Sequence, residues 1–204
     1  MYIPKHFEEK DTEVMLEFMK EFNFAAVVNS AKKRYWATHL PFIVSHRDEK
    51  ILLRAHMAKA NPQWASFNSD EEVLVIFQEP HAYISPSLYE NKVSVPTWNY
   101  IAVHAYGVPK LLSSREERIA LLEESFEVFE SSFKKQWDTL PDDYREELLD
   151  GIVAFEIEVT GIEGKFKLSQ NRTSPERKNI MENLGESGEK VKEDISRFMK
   201  KDVK

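Results

Sequence analysis

From Asp11 to Phe22 the apolar residues Val14, Met15, Phe18 and Phe22 recur at helical spacing behind early acidic residues. This predicts a short amphipathic helix that packs on the body of the protein. The period then changes. Runs at Phe24–Asn29, Tyr35–Ser45, Lys50–Met57, Val73–Gln78, His81–Ser85 and Trp98–Leu112 are rich in β-branched and aromatic residues. Turn material such as Ser30-Ala31-Lys32-Lys33 and Arg47-Asp48-Glu49 separates them, so the pattern predicts a series of strands forming a barrel or sandwich. Pro41 and Pro109 interrupt strand-like runs and mark an edge, a bulge or a bend.

Ser114-Arg115-Glu116-Glu117 has the form of a capping box, and Ile119, Leu122, Phe126, Phe129, Phe133 and Trp137 follow at spacings of three and four. One long helix ending near Trp137 is expected, with a shorter one from Pro141 to Leu149, ended by Gly151. Val153, Phe155, Ile157 and Val159 then alternate with charged Glu156 and Glu158, which returns the chain to the sheet as a half-buried strand. Gly161 and Gly164 bracket an expected turn before an extended Phe166–Ser169. Two tail helices follow, one after Ser174-Pro175 and one from about Glu186, the latter with Val191, Ile195 and Phe198 on one face. An isolated amphipathic helix of this length is marginal in water, so it is expected to dock on its own barrel or on a partner. The fold class expected is α+β, an antiparallel β-barrel with peripheral helices and a helical C-terminal tail.

Composition narrows the setting. The chain has 204 residues, 42% of them apolar, enough for a sizeable core in one main domain. No apolar run reaches the ~18 residues of a membrane span, and the N-terminus lacks the pattern of a secretory signal, so a cytoplasmic protein with no membrane partner is expected. With no Cys there is no disulfide framework, thiolate metal site or catalytic thiol. The six His show no helical metal spacing, and no metal site is expected. Dinucleotide, P-loop and serine-hydrolase motifs are absent. The formal charge of −7 argues against a general coat for nucleic acid. It is uneven: residues 161–204 hold 11 Lys or Arg against 8 Asp or Glu, which leaves residues 1–160 at −10.

Three segments gather polar groups at the ends of predicted strands. In Leu53-Arg54-Ala55-His56-Met57-Ala58-Lys59-Ala60-Asn61-Pro62-Gln63-Trp64, Arg54 and His56 share a strand face, and Lys59 and Asn61 lie just past its end. Such a group can grip a phosphate, and the same spacing also suits a solvated strand end with helix capping. The stretch from Ser85 to Tyr100 leads into a strand showing Trp98, Tyr100, His104 and Tyr106 on one face, suited to a planar ligand, a dimer interface or a barrel face covered by a helix. Lys165 and Lys167 share a face of the last strand, before the donor-rich Gln170, Asn171 and Arg172; a Lys-blunted sheet edge has the same pattern.

Together, His39-Leu40-Pro41-Phe42, His56-x-Ala58-Lys59-Ala60-Asn61-Pro62-Gln63-Trp64, Ser85-Pro86-Ser87-x-Tyr89, Pro96-Thr97-Trp98-Asn99-Tyr100 and Gly164-Lys165-x-Lys167-Leu168-Ser169-Gln170-Asn171 resemble the PaiB family over nearly the whole chain. That family is classed with the FMN-binding split barrels and named for negative regulation of sporulation and degradative-protease synthesis. The resemblance implies a split barrel over 1–170, with a helical insertion at 114–150, and a helical extension at 171–204. It implies FMN as cofactor, with Arg54, His56, Lys59 and Asn61 near its phosphate and Lys59 foremost. Thr38 and His39 would lie near the ring or ribityl chain, and Trp98, Asn99 and Tyr100 would close the site in a homodimer. Lys165, Lys167, Gln170, Asn171 and Arg172 resemble in position the late basic segment that meets ligand phosphate or substrate in the oxidase relatives, without those relatives' Arg-rich pattern, and join the expected cofactor-binding residues.

Two functional classes follow from the resemblance. One is a flavin-linked regulator, acting in transcription through a ligand-dependent surface. The other is an FMN-dependent oxidoreductase or flavin reductase acting on a small molecule, and no catalytic residue is assigned for it. A flavin or related phosphorylated small molecule is the expected ligand in both. Direct DNA binding has little support, because no helix-turn-helix with a basic recognition helix is visible.

Overall fold

The structure is a computed structural model that describes residues 1–67, 71–91 and 93–201. Its strands are β1 (Glu8–Glu9), β2 (Phe24–Ala31), β3 (Arg34–Pro41), β4 (Ile43–Arg47), β5 (Lys50–Ala58), β6 (Val73–Ile84), β7 (Thr97–Leu112) and β8 (Ile152–Lys167). The helices are α1 (Thr12–Glu21), α2 (Arg115–Phe129), α3 (Phe133–Trp137), α4 (Asp142–Asp150), α5 (Ser174–Gly185) and α6 (Lys190–Lys201). The strands form one sheet in the order β3-β2-β6-β7-β8-β5-β4, with β1 paired to β8. The fold is α+β, of the antiparallel split-barrel class. Among the described residues no helix is long and apolar enough to cross a membrane.

Several predicted boundaries change. Tyr35–Ser45 is two strands broken at Phe42, and the single long helix is divided into α2 and α3 at Glu130–Ser132. Conversely, Val73–Gln78 and His81–Ser85 are one strand, whose buried positions shift from Val73, Val75 and Phe77 to Pro80, Ala82 and Ile84. The turn expected at Gly161 and Gly164 is also strand: β8 runs straight through both. At Gly164 a Cβ would lie 2.6 Å from Met15 Sδ, so glycine here serves close approach to α1 rather than a turn.

The chain divides into two compact units. The first holds Met1–Met15, Gln78–His104 and Glu163–Lys204, and the second holds Leu16–Phe77 and Ala105–Ile162. In the second, the β2–β3 and β4–β5 hairpins turn on Lys32-Lys33 and Asp48-Glu49, all four at positive φ, as two-residue hairpins of matching twist require. β5 pairs with β8 from Leu52↔Glu158 to Ala58↔Ile152, and β3 lies in contact with β5. Inward residues meet in an aromatic core, where Phe42 lies 6.0 Å from Phe77 and 6.2 Å from Phe155, and Phe67 lies 5.0 Å from Phe155. Leu121 of α2 is buried with Ile43 and Ala154 on the other face of these strands, and Ser114 and Glu117 close the expected capping box at the start of α2. In the first unit α5 and α6 pack as a hairpin, with Ile180, Leu184, Ile195 and Met199 buried and Phe198 against Phe166. The last helix therefore docks within its own chain.

Candidate functional site

The segment after β5 is held by a chain of polar contacts in the second unit. Asn61 begins the 3₁₀ turn Pro62–Ser66, its side chain accepting from Gln63 N–H at 3.0 Å, and its Nδ2 donates to Thr38 Oγ1 at 2.8 Å. Thr38 in turn donates to Gln63 Oε1. Gln63 is 1% exposed, and its Nε2 donates to Val27 O at 3.0 Å and Asn29 Oδ1 at 2.9 Å. Asn29 reaches Ser66 at 2.6 Å. Gln63 is thus saturated, as a buried amide must be. Gln63 stands in the family motif but not among the expected site residues, because its burial is a tertiary property that spacing does not carry.

Lys59 is held through its backbone. The Lys59 N–H donates to Gly151 O at 2.8 Å, and its carbonyl accepts from Trp64 Nε1 at 2.9 Å. The side chain is exposed and, among the described residues, makes no ion pair. A pinned backbone thus presents an unneutralised ammonium with three donors. His39, one residue along β3 from Thr38, is also exposed, its ring stacked with Phe24 at 6.4 Å.

Arg54 and His56 share a face, as the strand period required, but Arg54 is otherwise engaged. Its Nη1 lies 2.6 Å from Glu124 Oε2 and its Nη2 donates to Glu124 Oε1 at 2.7 Å, a two-pronged fork to α2. Glu156, directly opposite on β8, lies 3.7 Å from its Nε. With 13% of its side chain exposed and two carboxylates beside it, Arg54 ties α2 to the sheet. His56 faces Ala154 across the β5–β8 pair, and burial pushes its imidazole below the ordinary value.

In the first unit Trp98 and Tyr100 share a face of β7. With Gln78 and His81 they line a hollow of about 410 Å³. Trp98 lies 5.9 Å from His81 and 5.7 Å from Tyr83, and remains 51% exposed. Lys165 sits over the rings of Tyr100 at 5.3 Å and Tyr2 at 5.7 Å. Lys167, Asn171, Arg172 and Asn99 line a second hollow, of about 260 Å³. Asn99 is wholly buried: its Oδ1 accepts from Ser169 at 3.0 Å and its Nδ2 faces Met199 Sδ at 3.6 Å. Gln170 is also committed, accepting from Leu168 N–H at 2.8 Å and donating to Phe166 O at 2.6 Å, which braces a turn where Ser169 has φ of 61°.

Within the second unit, an exposed cation on a pinned backbone suits a phosphate, while Arg54 is already forked to Glu124; within the first unit, the exposed face of Trp98 suits a planar ring. The fold is that of the split-barrel class. The family model described as "Putative FMN-binding domain" matches residues 1–161, and the chain belongs to that family. FMN is the cofactor which that description gives. The chain is 41% identical over 186 residues to the "Protease synthase and sporulation protein PAI 2" of Bacillus subtilis (strain 168), a match covering 90% of this chain and 89% of the relative. The fold is similar to that of the flavocytochrome Anf3 from Azotobacter vinelandii, with a TM-score of 0.64 at 12% identity, covering 85% of this chain and 74% of that one. It is also similar to an FAD and heme binding protein from Mycobacterium smegmatis, with a TM-score of 0.59 at 13% identity, covering 79% and 73%.

Proposed function

We propose that the chain is an FMN-binding regulator that represses sporulation and degradative-protease synthesis at the level of transcription. Cofactor binding rests above all on Lys59, just past β5, a cation without an ion pair among the described residues and held through its backbone by Gly151 and Trp64. Lys59 holds the FMN phosphate, with the second side-chain N–H of Asn61 beside it, and His39 lies toward the ring or ribityl chain. Arg54 and His56 support that strand from the α2 side rather than meeting the ligand. Residues 1–170 carry this function, with 114–150 as an insertion and 171–204 as an extension. The regulatory role rests on the name of the Bacillus relative. When bound, FMN supplies a reversible two-electron carrier, and the protein's own groups bind its phosphate, orient it and limit access of water.

The regulator is a cytoplasmic homodimer in this reading. Exposed apolar side chains support a self-contact: Phe24 and Tyr35 in the second unit, Tyr83 and Trp98 in the first. With an acidic chain, its output runs through a ligand-dependent surface and not through a tight, sequence-specific DNA complex. A second reading, an FMN-dependent oxidoreductase or flavin reductase, draws on the aromatic-walled hollow of about 410 Å³, which has room for a small planar substrate. The visible spectrum of the purified protein, before and after addition of FMN and removal of excess, tests the common premise. A protein-retained flavin band is expected; failure to retain flavin after equilibration overturns it. Oxidation of a nicotinamide nucleotide by the flavin-loaded protein separates the enzyme reading from the regulator.

A further inference from the structure

Two exposed features of the second unit carry opposite charges that have no counter-charge among the described residues. The first is the tip of the β2–β3 hairpin, where Lys32 and Lys33 hold φ of 52° and 63°. Asn or Gly suits such positions, so lysine there costs turn stability and places two ammonium groups at the tip. Arg34 follows, its guanidinium 4.8 Å from the Trp36 ring centroid, and Tyr35 beside it is 81% exposed. Among the described residues none of these three cations makes an ion pair. Asn29, bonded to Ser66 and Gln63, anchors the base of the hairpin.

The second feature is the C-terminal end of α2. Residues 114–150 hold 12 Asp or Glu against 5 Lys or Arg, while the rest of the chain holds 23 of each, so the helical insertion carries the whole formal charge of −7. Glu123 meets Lys134 at 2.8 Å, and Glu124 meets Arg54 and Arg47. Glu127 and Glu130 are exposed and have no cationic partner among the described residues. The last turn of α2 holds no basic residue, so the negative end of the helix dipole adds to both carboxylates. Between them Val128 and Phe129 are 50% and 45% exposed.

We infer that the hairpin tip of one copy seats on the α2 end of a second copy, with Lys32, Lys33 and Arg34 meeting Glu127 and Glu130 while Tyr35 covers Val128 and Phe129. The inference rests on the homodimer reading above and names the two surfaces through which that dimer forms. Charge and apolar area match on both sides, which gives the contact direction as well as attraction. Because each copy carries both features, a two-fold pair makes the contact twice and leaves neither surface open to a third copy.

Exchange of charge tests the contact, read by sedimentation equilibrium of the full chain at low and high salt. Wild type should dimerise, and more weakly as salt rises. Lys32→Glu with Lys33→Glu, and separately Glu127→Lys with Glu130→Lys, should each weaken self-association about tenfold or more, since like charges then face each other. Mixed together, the two reversed chains should associate to within about threefold of wild type, because both cross-contacts again join opposite charges. Urea midpoints taken where every chain is monomeric show that the variants fold, and Tyr35→Ser, which changes no charge, should weaken the dimer about three- to tenfold. Wild-type self-association in either reversed chain, or no recovery on mixing, overturns the contact and leaves the homodimer reading standing. Charge reversal at Lys32 and Lys33 that abolishes binding to a DNA duplex or to anionic vesicles, with self-association unchanged, assigns the tip to that polyanion and also overturns it. A wild type that is monomeric at every concentration removes the homodimer reading and the contact together.

Discussion

Replacing Arg54 by Met removes the cation that Glu124 and Glu156 share. The Arg54 side chain is 13% exposed, against 22% for Glu124 and 27% for Glu156, so the pair lies between surface and interior. Breaking a fully buried pair costs about 3 to 5 kcal/mol, because the remaining charge is left uncompensated. Here water reaches the carboxylates in part, which lowers the expected loss to about 2 to 3 kcal/mol. The Glu124 fork should account for most of it, since both its contacts are under 3 Å while Glu156 is at 3.7 Å. Urea unfolding of wild type, Arg54→Met, Glu124→Gln and the double variant gives the coupling directly, with about 1.5 to 2 kcal/mol expected. If, as proposed, Arg54 supports the strand without touching the ligand, Arg54→Met should shift FMN and riboflavin affinity by the same factor. A coupling below about 0.5 kcal/mol, or a loss confined to FMN, would refute this reasoning.

Gln63→Ala should cost about 2 to 4 kcal/mol in urea, because it strands Val27 O and Asn29 inside the second unit; a loss under 1 kcal/mol contradicts the network. In the β2–β3 turn, Lys32→Asn with Lys33→Gly should stabilise by about 1 kcal/mol, since both positions hold positive φ, and a lower thermal midpoint would count against that hairpin geometry. Burial lowers the His56 pKa on folding, so the unfolded chain binds the proton more readily, and the stability His56 confers is complete above about 6.5 and declines as pH falls below it. The wild type should therefore lose more stability than His56→Gln between pH 7.5 and 5.5; equal losses would remove His56 as the cause.

Helix α1, the hairpins and the two tail helices were legible because each depends on local period or turn chemistry. The strand through Gly161 and Gly164 was not, since the reason for glycine at 164 is Met15, far away in sequence. The same distinction runs through the site. Spacing along the strand end pointed to Lys59 and Asn61, while Thr38, which meets Asn61 from the neighbouring hairpin, entered only through the family resemblance. Arg54 read as a phosphate ligand because its partner Glu124 stands 70 residues further on, in a helix whose docking no local pattern reveals. Asn99 and Gln170 read as available donors, while their amides close contacts inside the first unit. FMN itself was legible only through resemblance to a family, because no short motif in the chain specifies a flavin.

In the proposed site the decisive contact is that of Lys59 with the phosphate. Flavin-fluorescence titration of wild type and Lys59→Ala with FMN and with riboflavin, which lacks the phosphate, isolates that contact. Loss of one or two charge-assisted hydrogen bonds of about 1.5 to 3 kcal/mol predicts FMN weakened roughly ten- to a hundredfold, with riboflavin changed by less than about twofold. Unchanged FMN affinity, or equal losses for the two flavins, would contradict it.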